Sequence, residues 1–142
     1  MKRKKPRPSA RFARGTATAL VVHLLPFNTY REDIRFVQGS AEQITRYFKC
    51  QHPKNDAPII EGNVGKYVNW CANKDGYVIH YICLINLPKR RRDMVITTLS
   101  HEALHCAIAI LEHRGVTISA NEDEPLCYFH QWIMTLCLGW LR

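Results

Sequence analysis

The sequence predicts an α+β domain in which helices pack on one face of a small antiparallel sheet. Three observations carry that expectation. Two β-rich runs, 64–72 and 77–87, flank Asn73-Lys74-Asp75-Gly76, a composition that turns a chain back on itself. From Arg91 to His113, Val95, Leu99, Ala103, Cys106 and Ile110 recur at three- and four-residue intervals, the period of a helix buried along one side. A second such stripe, Leu126, Phe129, Ile133, Cys137 and Trp140, belongs to a last helix that opens near 121–125.

Taken in order, residues 1–15 form a basic tail and 16–142 the folded domain. The tail holds Lys2, Arg3, Lys4, Lys5, Arg7, Arg11 and Arg14 and no acid, and Pro6 and Pro8 punctuate it. The chain carries 20 Lys and Arg against 12 Asp and Glu, a formal charge of +8. Seven of those cations lie in the tail, so the remainder is close to neutral. Two readings of the tail stay open: a solubilising arm, or a weak, sequence-independent grip of residues 2–14 on nucleic acid or an acidic partner. No aromatic-rich binding module accompanies the charge.

Residues 18–27, rich in Val and Leu and stopped by Pro26, read as the first strand. They do not make a secretory signal, because His23 interrupts the apolar stretch and Arg11 and Arg14 crowd it. Ser40 with Gln43 has the form of a capping box, and Ile44, Tyr47 and Phe48 continue at helical spacing. That helix ends near His52, since the residue before Pro53 resists helical backbone. Pro53, Pro58 and Gly62 make 53–62 a loop. The run 77–87 is almost uninterruptedly apolar and ends at Pro88, which puts it in the sheet with both faces at least partly covered. Gly115 is placed to cap the long helix.

The six cysteines (Cys50, Cys71, Cys83, Cys106, Cys127, Cys137) sit within apolar patterns and form no CxxC, so they read as buried, reduced thiols of a cytoplasmic protein. No uninterrupted apolar run reaches the ~18 residues of a membrane helix, and no membrane partner is expected.

The chemistry is concentrated in Ser100-His101-Glu102-Ala103-Leu104-His105, an HExxH pattern in the middle of the long helix. Residues four apart lie one above the other on a helix, so both imidazoles can reach one zinc ion at ~2.0–2.1 Å. Glu102 then stands beside the metal as general base for a water whose pKa zinc lowers towards ~7. The bland alternative is a helix with two unremarkable histidines. An apolar lead-in (Val95, Ile96, Leu99) makes histidine an odd choice for core there.

Catalytic zinc takes three protein ligands. A histidine six positions after the second is absent, since Leu111 stands there, and Ile108 replaces the glycine of that arrangement. His113 is nearly a quarter-turn off the shared face. The acids Glu122, Asp123 and Glu124 open the next helix, which a turn at Gly115 brings back beside the motif. Glu124, ahead of Pro125 and Leu126, is the favoured third ligand and Glu122 the reserve. Acids at a helix N-terminus also complement its dipole without any metal. His80, Tyr81 and His130 are weaker candidates for stabilising an oxyanion, and Asn86 for capping a strand end.

The stretch 97–134 resembles the C-terminal half of small HExxH proteins encoded by tailed bacteriophages. The matching positions are His101, Glu102, His105, Gly115, Val116, Asp123, Glu124, Tyr128, Gln131, Trp132 and Ile133. Pro125 and Cys127 depart from the small helix formers of that pattern. The resemblance implies a minimal zincin-like metallopeptidase domain of the gluzincin type, with an HExxH helix followed by a C-terminal helix. Its zinc would be held by His101, His105 and Glu124, its substrate would be a protein or peptide, and its site of action the host cytoplasm. It also implies substrate laid along an edge strand, for which 77–87 is the candidate. The class-different alternative is a non-catalytic, zinc-stabilised module that binds nucleic acid or an acidic partner through the tail and the Lys89–Arg92 cluster.

Overall fold

A computed structural model describes residues 19–26, 32–60, 64–71, 76–86 and 91–141, with the backbone alone of Trp70 and Cys71. The basic tail, the Asn73–Asp75 part of the hairpin turn, and Lys89 and Arg90 lie outside these residues. The described elements are β1 (Val21–Leu24), β2 (Glu32–Gly39), α1 (Ala41–Gln51), β3 (Gly65–Cys71), β4 (Val78–Ile85), α2 (Arg92–His113) and α3 (Glu124–Trp140).

The class is α+β, as the sequence predicts, but the sheet is mixed and not antiparallel. Its strand order is β1-β2-β4-β3. β1 pairs with β2, and β3 with β4, antiparallel, while β2 and β4 run parallel from Glu32↔Val78 to Gly39↔Ile85. The strand that changes the topology is β2, for which sequence reading made no assignment. Its alternation is visible in Ile34, Phe36 and Gln38 against Asp33, Arg35 and Val37, yet two acids at its start and a glycine at its end depress strand propensity. With β2 in place, β4 is interior and all eight of its residues are buried. The candidate edge strand 77–87 is therefore a central strand, and the edges among the described residues are β1 and β3.

The second correction concerns the layers. Successive side chains of β2 and β4 point to opposite faces, and both faces are covered. Ile34, Phe36, Ile82 and Leu84 join Leu99, Ala103, Cys106, Ala107 and Ile110 of α2 and Ile133 and Cys137 of α3. Val37, Ile79, Tyr81, Cys83 and Ile85 join Ile44 and Phe48 of α1. The helices thus flank the sheet on two faces, because a parallel pair needs a crossover and α1 lies in it.

Local signals set the helix ends. The Ser40 hydroxyl accepts from the Gln43 amide at 3.2 Å, and the Gln43 side-chain oxygen accepts from the Ser40 amide at 2.8 Å, the reciprocal pair expected of a capping box. α2 closes in a Schellman motif. The Gly115 amide donates to Glu112 and the Val116 amide to Leu111, with Gly115 at φ +71°, where a side chain would be strained. α2 is, by length and composition, apolar enough to cross a membrane. In this fold its buried stripe seats it on the sheet.

Not every cysteine is buried. Cys83, Cys106 and Cys137 are, whereas Cys50 and Cys127 are exposed, and all five are free thiols. Burial pushes the thiol pKa of Cys137 up to about 12 and raises those of Cys83 and Cys106 as well.

Candidate metal centre

Helix α2 sorts its residues by face. Leu99, Ala103, Cys106, Ala107 and Ile110 turn inward, and His101, Leu104 and His105 turn out to solvent. The two imidazoles converge there. Their Nε2 atoms lie 3.1 Å apart, with ring centroids at 4.6 Å and planes at 81°. A ring-to-ring hydrogen bond accounts for that separation. So does one metal ion, because two nitrogens each at ~2.0–2.1 Å from a tetrahedral zinc stand about 3.3 Å apart. The separation of the pair is thus close to that of two nitrogens on one zinc ion.

Glu102 lies between these histidines in sequence but on another side of the helix. It is only 8% exposed, and its side chain is seated against the start of β3. A Cβ built on Gly65 would come within 2.9 Å of both Cγ and Oε1 of Glu102 and would overlap Cγ2 of Thr98. The Glu102 carboxyl group is thus held on the β3 side of α2, one position along from His101.

No third ligand joins the pair among the described residues, where no group of three His, Cys, Asp or Glu side chains converges to hold a metal. Glu124 is the first residue of α3 and exposed, in the first turn, where its charge complements the helix dipole. Glu122 is exposed in a turn closed by its amide on the Ser119 carbonyl at 3.1 Å. Asp123 is the N-cap residue and makes no side-chain capping bond.

The other candidates have different occupations. His130 on α3 reaches back to α2, its Nε2 lying 3.1 Å from the Ser100 carbonyl oxygen and 3.4 Å from the Ser100 hydroxyl. It pins α3 beside the residue that precedes His101, with Nε2 committed to that contact. Tyr81 is sealed on the α1 face, its hydroxyl 2.8 Å from His52 Nε2, and burial raises its pKa to about 12. Asn86 adopts φ 52° and donates its amide to Gly39, which closes the strand end.

His80 belongs to a second polar cluster, at the C-terminal end of α2, that the sequence reading did not anticipate. Glu32, 3% exposed, receives His113 Nδ1 at 2.8 Å and Arg114 Nη2 at 3.1 Å. His80 Nε2 stands 4.0 Å from Glu32, and His80 Nδ1 lies 2.8 Å from the Tyr67 hydroxyl. Burial lowers the pKa of His80 to about 4 and raises that of Tyr67. Tyr67 and Nδ1 share one hydrogen bond, and Nε2 faces Glu32 at 4.0 Å. His113 thus serves Glu32 and stands apart from the histidine pair.

Compared with family models, with curated proteins and with solved structures, the chain matches none.

Proposed function

We propose that the chain is a zinc-dependent hydrolase with a minimal zincin-like fold, acting on a peptide or other amide bond. The observation that carries this reading is the convergence of His101 and His105 Nε2 to 3.1 Å on the solvent side of α2, with Glu102 buried one position from His101. His101 and His105 would hold the ion, and Glu124, or Glu122 in its place, would be the third protein ligand after movement of the α3 N-terminus. Zinc bound there supplies a Lewis acid for the scissile carbonyl and lowers the pKa of water towards ~7. Glu102 takes the proton of the attacking water on a carboxylate oxygen and passes it to the leaving amine nitrogen, so the carboxylate ends each cycle unchanged. Its burial beside β3 keeps that carboxylate from relaxing into bulk water.

The rival reading is a non-catalytic module, although a structural zinc takes four protein ligands and the described residues bring two together. Under it the ion only braces a binding module. Metal analysis of protein purified without added zinc, followed by Glu102→Gln, separates the two. A hydrolase keeps its zinc and its melting temperature in the variant and loses about 10²–10⁴-fold in kcat. A braced module behaves like wild type in every assay. Protein that carries no zinc and takes none up excludes both.

A further inference from the structure

We infer that Gly65 is a positioning residue for Glu102. The inference rests on the hydrolase reading for its consequence but on packing for its substance. Gly65 opens the edge strand β3, and its place along the sheet is fixed from two sides. It pairs with Leu84 in the β3–β4 register, and the carbonyl of the preceding Val64 accepts from the Ile85 amide at 2.9 Å. β4 is itself locked between β2 and β3 and buried along its whole length. The backbone at Gly65 therefore cannot retreat from α2 without breaking ladder bonds.

Against that fixed backbone α2 sets Thr98 and Glu102, one turn apart on one face of the helix. The space where a side chain at position 65 would stand is the space that Cγ and Oε1 of Glu102 occupy. Glycine inside a strand usually marks such a close approach. Here the neighbour is the carboxylate assigned the proton transfers. Glu102 is 8% exposed, with main chain of β3 on one side and its own helix on the other. His101 and His105 point to solvent and do not touch this seat. The geometry thus separates two tasks: the exposed face of α2 takes the metal, and the β3 face holds the base.

That separation makes the test specific. Gly65→Ala alone meets both Thr98 and Glu102. Thr98→Ser deletes the Cγ2 methyl, so Gly65→Ala in a Thr98→Ser background leaves only the collision with Glu102. Zinc affinity by competition with a chromophoric chelator should agree within 3-fold between the double variant and Thr98→Ser. Its kcat on fluorescein-labelled casein should fall at least 30-fold with KM unchanged. A double variant with the kcat of Thr98→Ser overturns the proposal, as does one whose only change is a lower melting temperature.

A readout without any substitution or substrate comes from wild-type protein free of metal. A nuclear Overhauser contact between the Gly65 α-protons and the Glu102 γ-protons should be among the strong side-chain contacts of α2. Its absence overturns the proposal even if the double variant does not fold. Failure of the hydrolase reading shows elsewhere, as wild-type protein that takes up no zinc, and leaves this contact to decide the role of Gly65.

Discussion

Helix α2 carries two histidine-containing clusters, and they differ in what surrounds the rings. Midway along the helix, His101 and His105 stand exposed and face each other through Nε2. At its C-terminal end, His113 and Arg114 grip the buried Glu32, and His80 lies under Tyr67 in the same cluster. In the second cluster desolvation outweighs the nearby carboxylate, and His80 stays neutral with a pKa of about 4. Its Nδ1 is hydrogen-bonded to a phenol, and its Nε2 faces Glu32 across a gap too long for a direct bond. The first pair is open to solvent, and among the described residues no third His, Cys, Asp or Glu converges on it. Whether a histidine is free to meet a ligand thus depends on access and on how many of its nitrogens the fold has already used.

The largest effect expected from this contrast is on metal binding. His101→Ala and His105→Ala should each weaken zinc binding by at least about 100-fold, since loss of a mere supporting partner already costs 10–100-fold. His113→Ala should leave zinc affinity unchanged. Equal losses in all three, measured by chelator competition, would erase the distinction between the clusters.

The next effect is on stability against pH. The pKa of His80 is lower in the folded than in the unfolded chain, so between pH 6.5 and about 4 the unfolded chain binds the extra proton. Neutral His80 therefore leaves stability complete above pH 6.5 and lets it drain as pH falls towards 4, by about 2–3 kcal/mol. His52, whose pKa burial also lowers, adds with the same sign. Urea unfolding at pH 7.0 and 4.5 should show the loss, and His80→Gln should remove most of it. A slope unaltered in that variant would mean that another group carries the acid sensitivity.

Smaller still is Tyr67→Phe, which leaves buried His80 Nδ1 without its hydrogen-bond partner and should cost about 1–3 kcal/mol at pH 7 in the same measurement. Least of all is His113→Ala on stability. Its side chain is 55% exposed and Arg114 still reaches Glu32, so the loss should stay within about 1 kcal/mol.

Legibility in the sequence followed the reach of the signals. The Ser40–Gln43 cap, the Gly115 stop and the α2 and α3 stripes were readable because each is written within a turn or two of helix, and the boundaries agree to a residue or so. The β3–β4 pairing was readable from its turn. β2 was not, since its meaning lies in a partner strand far along the chain, and without it the sheet looked antiparallel and covered on one side. At the centre, the four-residue spacing of His101 and His105 announced their convergence. The seat of Glu102 on Gly65 and the gathering of Glu32, His80 and His113 depend on elements distant in sequence, and no local pattern marks them. Exposure of Cys50 and Cys127 escaped for a related reason, as an apolar neighbourhood in sequence need not be a buried one.

The parallel ladder at the middle of the sheet has a consequence for how the chain reaches its shape. Each of its rungs joins residues 46 positions apart, as Glu32 to Val78 and Gly39 to Ile85 are. The rungs of β3–β4 span far less, down to Cys71 with Val78. Closing the longer loops costs more entropy before any contact repays it. The hairpin and the α2–α3 pair are then the early structures, and the central ladder, with Glu32 and its partners, completes late. Two imidazoles one helical turn apart take up their spacing as soon as α2 has formed, ahead of that ladder.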